Sequence, residues 1–256
     1  MTSFSALIVL LLLVSVLPSS QLSQTMLPPH DGNWEIIWSD EFDGNKLDAA
    51  KWSYGIDGPR GDGLWSKENV FLDGRGNLVF RANILGDQFV GAGIDSYRRF
   101  AVFAGLFSFR CKLPKLPGFR PAIWLSTPGV ESVGNDGRDG TEIDIMEQPG
   151  RSAFVHLNLH WDGYKDDHKT TGTIAPIIGT LDDWHSFTLV WTENEYVFYV
   201  DNVESWRTSA GGVSQVPQFI RMGIETPWRP SRFELDSQTD EDYFICDYVR
   251  VYKKAL

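Results

Sequence analysis

Three carboxylates fall within the six residues Glu142-Ile143-Asp144-Ile145-Met146-Glu147, separated by aliphatic side chains. This alternation predicts a β-strand, in which successive side chains point to opposite faces. Glu142 and Asp144 then share a face. Glu147, three residues beyond Asp144, would point the other way in a regular strand. One extra residue bulging near Met146 brings it back, and bulges recur beside active sites. The expected result is a row of three acids on one surface, with Ile143 and Ile145 in the core behind. Like charges so close repel, and burial disfavours ionisation, so the row should divide into protonated and charged members. A protonated carboxyl next to a charged carboxylate is what acid-assisted cleavage of a glycosidic bond requires. The plainer alternatives are a solvated acidic strand face or a calcium-binding edge.

Many short strands must surround such a row. Trp34–Trp38 and Asn77–Ala82 have strand character, the second following the turn Asp73-Gly74-Arg75-Gly76. Further strands are predicted at 103–113, 121–126, 141–147, 154–161, 186–192, 195–201, 218–224 and 243–252, almost all separated by turn residues. Thr192-Glu193-Asn194, between two aromatic runs, predicts a hairpin. Residues 55–66 are rich in Gly, Asp and Arg and predict a surface loop. The Gly-, Asp- and Ser-rich segment 127–139 is either one wall of a cleft or an insertion without a role in it. Sustained helical periodicity is absent beyond the first residues, so the class is all-β, a sandwich or jelly roll in one domain.

Phe4–Leu17 is almost wholly apolar and too short to span a bilayer comfortably, which predicts a signal peptide over 1–23 and a secreted domain over 24–256. The net charge of −11 argues against nucleic acid and polyanionic partners and suits a neutral polysaccharide. No membrane association is expected of the mature chain, and a monomer is the default. The two cysteines, Cys111 and Cys246, are either a disulfide or two buried thiols. No Gly-x-Ser-x-Gly elbow, zinc-binding helix or phosphate loop points to another chemistry.

Thr141–Glu147 resembles the signature of glycoside hydrolase family 16 in its bulged form, as in β-1,3-glucanases and agarases. Other segments resemble the same family, in its order: Trp38–Gly44, Gly118–Leu125, Trp184–Trp191, Tyr199–Asn202 and Asp247–Tyr252. The resemblance implies a concanavalin A-like jelly roll of two curved antiparallel sheets, with a cleft on the concave side. It implies a retaining endo-β-glycosidase with Glu142 as nucleophile, Glu147 as general acid/base and Asp144 between them. Its substrate would be a laminarin-type β-1,3-glucan, with a β-galactanase, a transglycosylase or a non-catalytic glucan-recognition protein as alternatives.

Trp124 is expected as a sugar platform, or else as a core residue. His160, with Trp161 beside it, is expected opposite the acids. Asn69, Trp65, Arg120, Glu225 and Trp228 are weaker cleft candidates. Arg120 stands where relatives often have Trp, and Glu225 and Trp228 lie where they often carry a glycine-rich segment, so the exact target is in doubt. Catalysis needs no cofactor. Asp247 is either a ligand of a structural calcium or a plain surface aspartate.

Overall fold

The computed structural model describes residues 33–55, 57–61, 63–86, 88–225 and 241–255. The expected signal peptide and Trp228 lie outside them. The strands, in chain order, are β1 (Trp34–Asp40), β2 (Ser53–Tyr54), β3 (Gly58–Arg60), β4 (Gly63–Trp65), β5 (Val70–Leu72), β6 (Leu78–Leu85), β7 (Gln88–Asp95), β8 (Gly105–Lys112) and β9 (Arg120–Ser126). They continue as β10 (Glu142–Glu147), β11 (Phe154–Trp161), β12 (Lys169–Pro176), β13 (His185–Trp191), β14 (Tyr196–Val200), β15 (Val203–Thr208), β16 (Phe219–Glu225) and β17 (Glu241–Lys254). Among the described residues no helix is long and apolar enough to cross a membrane.

Two antiparallel layers result, and the chain is the β-jelly roll expected from its sequence. One layer runs β12-β11-β10-β9-β16-β7-β2. The other runs β15-β14-β13-β8-β17, and the far edge of the long strand β17 pairs with β6 at its start and β1 at its end. β7 joins the layers, pairing with β6 through Gln88–Val90 and with β16 through Ala92–Asp95. Alternation along each strand fills the space between. Ile143, Leu157, Leu159, Ile123 and Met222 face inward from the first layer, and Phe107, Phe109, Phe187, Leu189 and Val249 from the second, all completely buried. The opposite face of the first layer is thereby free to carry polar groups.

The predicted strands are present with ends shifted by a few residues, and Thr192–Glu195 closes the predicted hairpin. The short strands β2 to β5 were not foreseen, two of them forming a hairpin within the expected 55–66 loop, nor were β7, β12 and β15. β12 and β15 are polar edge strands with little buried surface to create a pattern. β7 is interrupted by glycines, which strands normally avoid. A Cβ on Gly93 would lie 2.4 Å from the Trp65 ring, so the missing side chain is what lets that indole lie flat against the sheet.

The two cysteines face each other across β8 and β17, yet they remain thiols rather than a disulfide. Cys246 donates its S–H to the Tyr248 carbonyl at 3.2 Å. Burial, and then Cys246 itself, pushes the Cys111 thiol well above its usual range. Cys111 is therefore not a ready thiolate, which is the species that starts disulfide formation.

Candidate active site

On the β9 side of β10, Asp144 pairs with Trp124 and Met146 with Ile123, leaving Ile145 as the extra residue. The bulge thus falls beside Met146, as expected, and has the expected effect. Ile143, Ile145 and Met146 point into the core, while Glu142, Asp144 and Glu147 all line a cavity of about 520 Å³. The neighbouring strands extend this surface. β9 contributes Arg120, Ala122 and Trp124, β11 contributes Asn158 and His160, and β16 contributes Arg221 and Glu225. Arg60, at the end of β3, and Tyr164 and His168, from the β11–β12 connection, close its rim.

Each acid has its own environment. Tyr164 donates its hydroxyl to Glu142 Oε2 at 2.5 Å. Burial raises the Glu142 pKa, while the Tyr164 hydrogen bond and His160 pull it down and Glu147 pushes it up. Asp144 is only 4% exposed, and its Oδ2 lies 3.2 Å from His160 Nε2. Burial, followed by the charges of Glu147 and Glu142, holds its carboxyl well above the usual range. His160 is in turn placed by His168, with Nδ1 3.0 Å from His168 Nε2. Glu147 accepts from Asn158 Nδ2 at 2.8 Å and pairs with Arg120 at 2.9 Å.

Beyond Glu147, Arg120 also reaches Glu225 Oε2 at 2.9 Å, and Arg60 reaches Glu225 Oε1 at 2.7 Å. Glu225 is 4% exposed and bridges two guanidiniums. The Arg221 guanidinium sits 5.2 Å from the Trp124 ring centroid, and that of Arg60 sits 5.0 Å from the Trp65 ring.

Glu142, Asp144, Glu147, Trp124, His160, Arg120 and Glu225 therefore share one cavity, as expected. Trp124 is nonetheless 4% exposed, its face covered by Arg221. Trp161 points the other way from His160, into the core, packed against the backbone of Gly211. Trp65 is buried beneath the cavity against Trp124. Asn69 is buried outside it, accepting from Arg81 and donating to the Val90 carbonyl. The 127–139 segment forms two short helical turns, with Thr127 capping the first, and contributes nothing to the cavity lining. Arg60, Arg221, Tyr164 and His168 were missed. Only Arg221 left a signal, standing four residues from Glu225 in one strand and hence on its face.

Asp247 lies away from the cleft with its carboxylate 2.6 Å from Arg110. Arg110 engages Oδ2 alone. Among the described residues, Glu142, Asp144 and His160 bring ligand atoms within 4.8 Å of one another. A cation there would occupy the very oxygens that the acid chemistry uses.

An all-β sandwich with paired acids in a cleft on its open face defines a carbohydrate-active class of protein. The match to Glycosyl hydrolases family 16 covers residues 59–249, and the chain belongs to that family. It is 29% identical over 247 residues to the keratan-sulfate endo-1,4-beta-galactosidase of Sphingobacterium multivorum, covering 88% of this chain and 56% of that one. It is 28% identical to the glucan endo-1,3-beta-glucosidase A1 of Niallia circulans, covering 90% of this chain and 39% of that one. The chain thus spans about half or less of these two relatives. The laminarinase catalytic domain of Thermotoga maritima superposes with a TM-score of 0.71 at 25% identity, covering 88% of this chain and all of that domain.

Proposed function

We propose that this protein is a secreted retaining endo-β-glycosidase that cuts a β-linked polysaccharide by double displacement. The observation that carries the reading is the bulge at Ile145, which puts Glu142, Asp144 and Glu147 side by side in one cavity. Glu142 attacks the anomeric carbon through Oε1, while Tyr164 fixes Oε2. Glu147 gives its proton to the departing glycosidic oxygen, and the C–O bond breaks to leave a glycosyl ester on Glu142. Arg120 and Asn158 then steady the carboxylate that Glu147 has become. Glu147 next takes a proton from water, whose oxygen displaces Glu142 and frees the enzyme. Asp144, kept protonated by burial, adds no second negative charge beside the nucleophile.

The family fits a laminarin-type β-1,3-glucan, and one relative carries a β-1,3-glucanase name, while another is named for a β-galactosidase. Two of the three cleft arginines are paired with Glu225 and Glu147, and the third, Arg221, favours a more polar chain. The apolar first residues support secretion, and one chain supplies every described residue of the cleft, which supports a monomer.

The test is to assay the purified protein and its Glu142→Gln and Glu147→Gln variants on laminarin, mixed-linkage glucan, β-galactan and agarose, following reducing ends and product size. Short oligosaccharides are expected from the wild type alone. The Glu147→Gln loss should be about 10²–10⁴-fold, the usual contribution of a positioned proton donor. Near-normal turnover by either variant would remove the roles assigned. Intact binding with no cleavage by the wild type would point to a recognition protein.

A further inference from the structure

Arg221 stands out among the cations of the cleft. Arg60 and Arg120 are both tied to Glu225, and Arg120 also to Glu147. No described residue takes an ion pair or hydrogen bond from the Arg221 guanidinium, although it lines the cavity and is half-buried. Burial, and then the like charge of Arg60, makes its charged form less favourable than usual. The charges of Asp95, its partner across the sheet, and of Glu142 and Glu225 offset part of this, and the face of Trp124 adds a cation–π contact worth about 0.5–2 kcal/mol. None of these carboxylates forms a described ion pair or hydrogen bond with the guanidinium, so its donors can take an anionic partner. The contact also covers the indole surface on which a neutral sugar ring would stack, while leaving the guanidinium edges free. Those edges are a fork that matches sulfate and carboxylate oxygens.

The sheet register places this fork. Arg221 pairs with Trp124 and Trp124 with Asp144, so the three form one row across β16, β9 and β10. Two strand spacings separate Arg221 from the acids, roughly 10 Å. A sugar unit lying over Arg221 in this row is adjacent to the reacting unit and presents its substituents to the guanidinium.

We propose that Arg221, backed by Arg60, is an oxyanion subsite. It recognises a sulfate ester or a carboxylate on the sugar unit next to the cleaved bond, so that the substrate is an anionic polysaccharide. This rests on the glycosidase reading and adds the class of its substrate. The Glu225 bridge fixes Arg60 and Arg120 beside the subsite and keeps their charges from repelling the third arginine outward.

Two matched pairs of polymers test it: a sulfated β-galactan before and after chemical desulfation, and a β-1,3-glucan before and after oxidation of its 6-hydroxyls to carboxylates. Hydrolysis is read as kcat/KM, and binding is read by calorimetry on the Glu142→Gln protein. The anionic member of at least one pair should be favoured roughly ten- to a hundredfold, the scale of a hydrogen bond to a charged group. The pair that responds separates sulfate from carboxylate. Arg221→Gln should erase the preference, and Arg221→Lys should keep part of it, because charge survives without the fork. Equal or better handling of the neutral members, or a preference that persists in Arg221→Gln, overturns the subsite and leaves the glycosidase intact. Selective binding of an anionic member with no cleavage of any polymer does the reverse.

Discussion

Removing the charge of Glu225 should destabilise the protein far more than a typical surface change. Its two oxygens are divided between Arg60, at 2.7 Å, and Arg120, at 2.9 Å, and the carboxylate is 4% exposed. In Glu225→Gln the amide can accept from one guanidinium but must turn N–H donors toward the other. Taking one partner from a buried ion pair usually costs about 3–5 kcal/mol. The Arg60 and Arg120 side chains are 34% and 20% exposed, so water recovers part of this, and we expect about 3 kcal/mol. For a chain of this size that is a fall in Tm of about 6–12 °C, measurable by calorimetry. In an Arg60→Gln background the same change should cost about 1 kcal/mol less, because one of the stranded cations is gone. A Glu225→Gln protein melting within about 2 °C of wild type, or an effect of equal size in both backgrounds, would refute the reasoning.

Tyr164→Phe deletes the hydrogen bond that favours ionised Glu142, while burial still raises its pKa. The nucleophile must be charged, so the acidic limb of the kcat/KM profile should move to higher pH; an unmoved limb would sever Tyr164 from Glu142. Asp144 has a folded pKa raised by burial above its ordinary 3.8, so its contribution to stability is greatest below that value and is lost as pH rises toward the folded value. Asp144→Asn should therefore raise Tm at pH 7 and lose that advantage near pH 3.5, even as activity falls; a lower Tm at pH 7 would contradict this. Thiol titration of the denatured, unreduced protein should find both Cys111 and Cys246 reactive.

What could be read from sequence followed how strictly a residue obeys strand parity. β11 was placed to the residue because Val155, Leu157 and Leu159 alternate with His156, Asn158 and His160 without interruption. The same parity puts Trp161 on the core side, and listing it with His160 ignored that rule. The three acids were legible because one bulge reconciles their spacing. Arg60 was hidden in a glycine-rich stretch that folds into the β3–β4 hairpin, and Tyr164 and His168 come from a turn where no period applies. Net charge says little about the cleft. A total of −11 describes the far field, whereas the cavity sets Arg60, Arg120 and Arg221 among Glu142, Asp144, Glu147 and Glu225. Close contacts feel the local charges, since exposed distant ones are screened beyond about 8–10 Å at ordinary salt.

The bulge at Ile145 also sets how this chain can change length. Deleting Ile145 leaves Glu-Ile-Asp-Met-Glu, in which all three acids still alternate on one face and Met146 keeps its place opposite Ile123. Deleting Met146 leaves the equivalent Glu-Ile-Asp-Ile-Glu, whereas deleting Ile143 turns an acid into the core, because a one-residue slip reverses a strand's faces. The strand therefore has one spare residue, at either of two neighbouring positions. Losing it would shorten the step from Asp144 to Glu147 and draw the proton donor toward the nucleophile. An insertion or deletion, ordinarily fatal in a core strand, becomes here a way to reset the spacing of the two acids without dismantling the row.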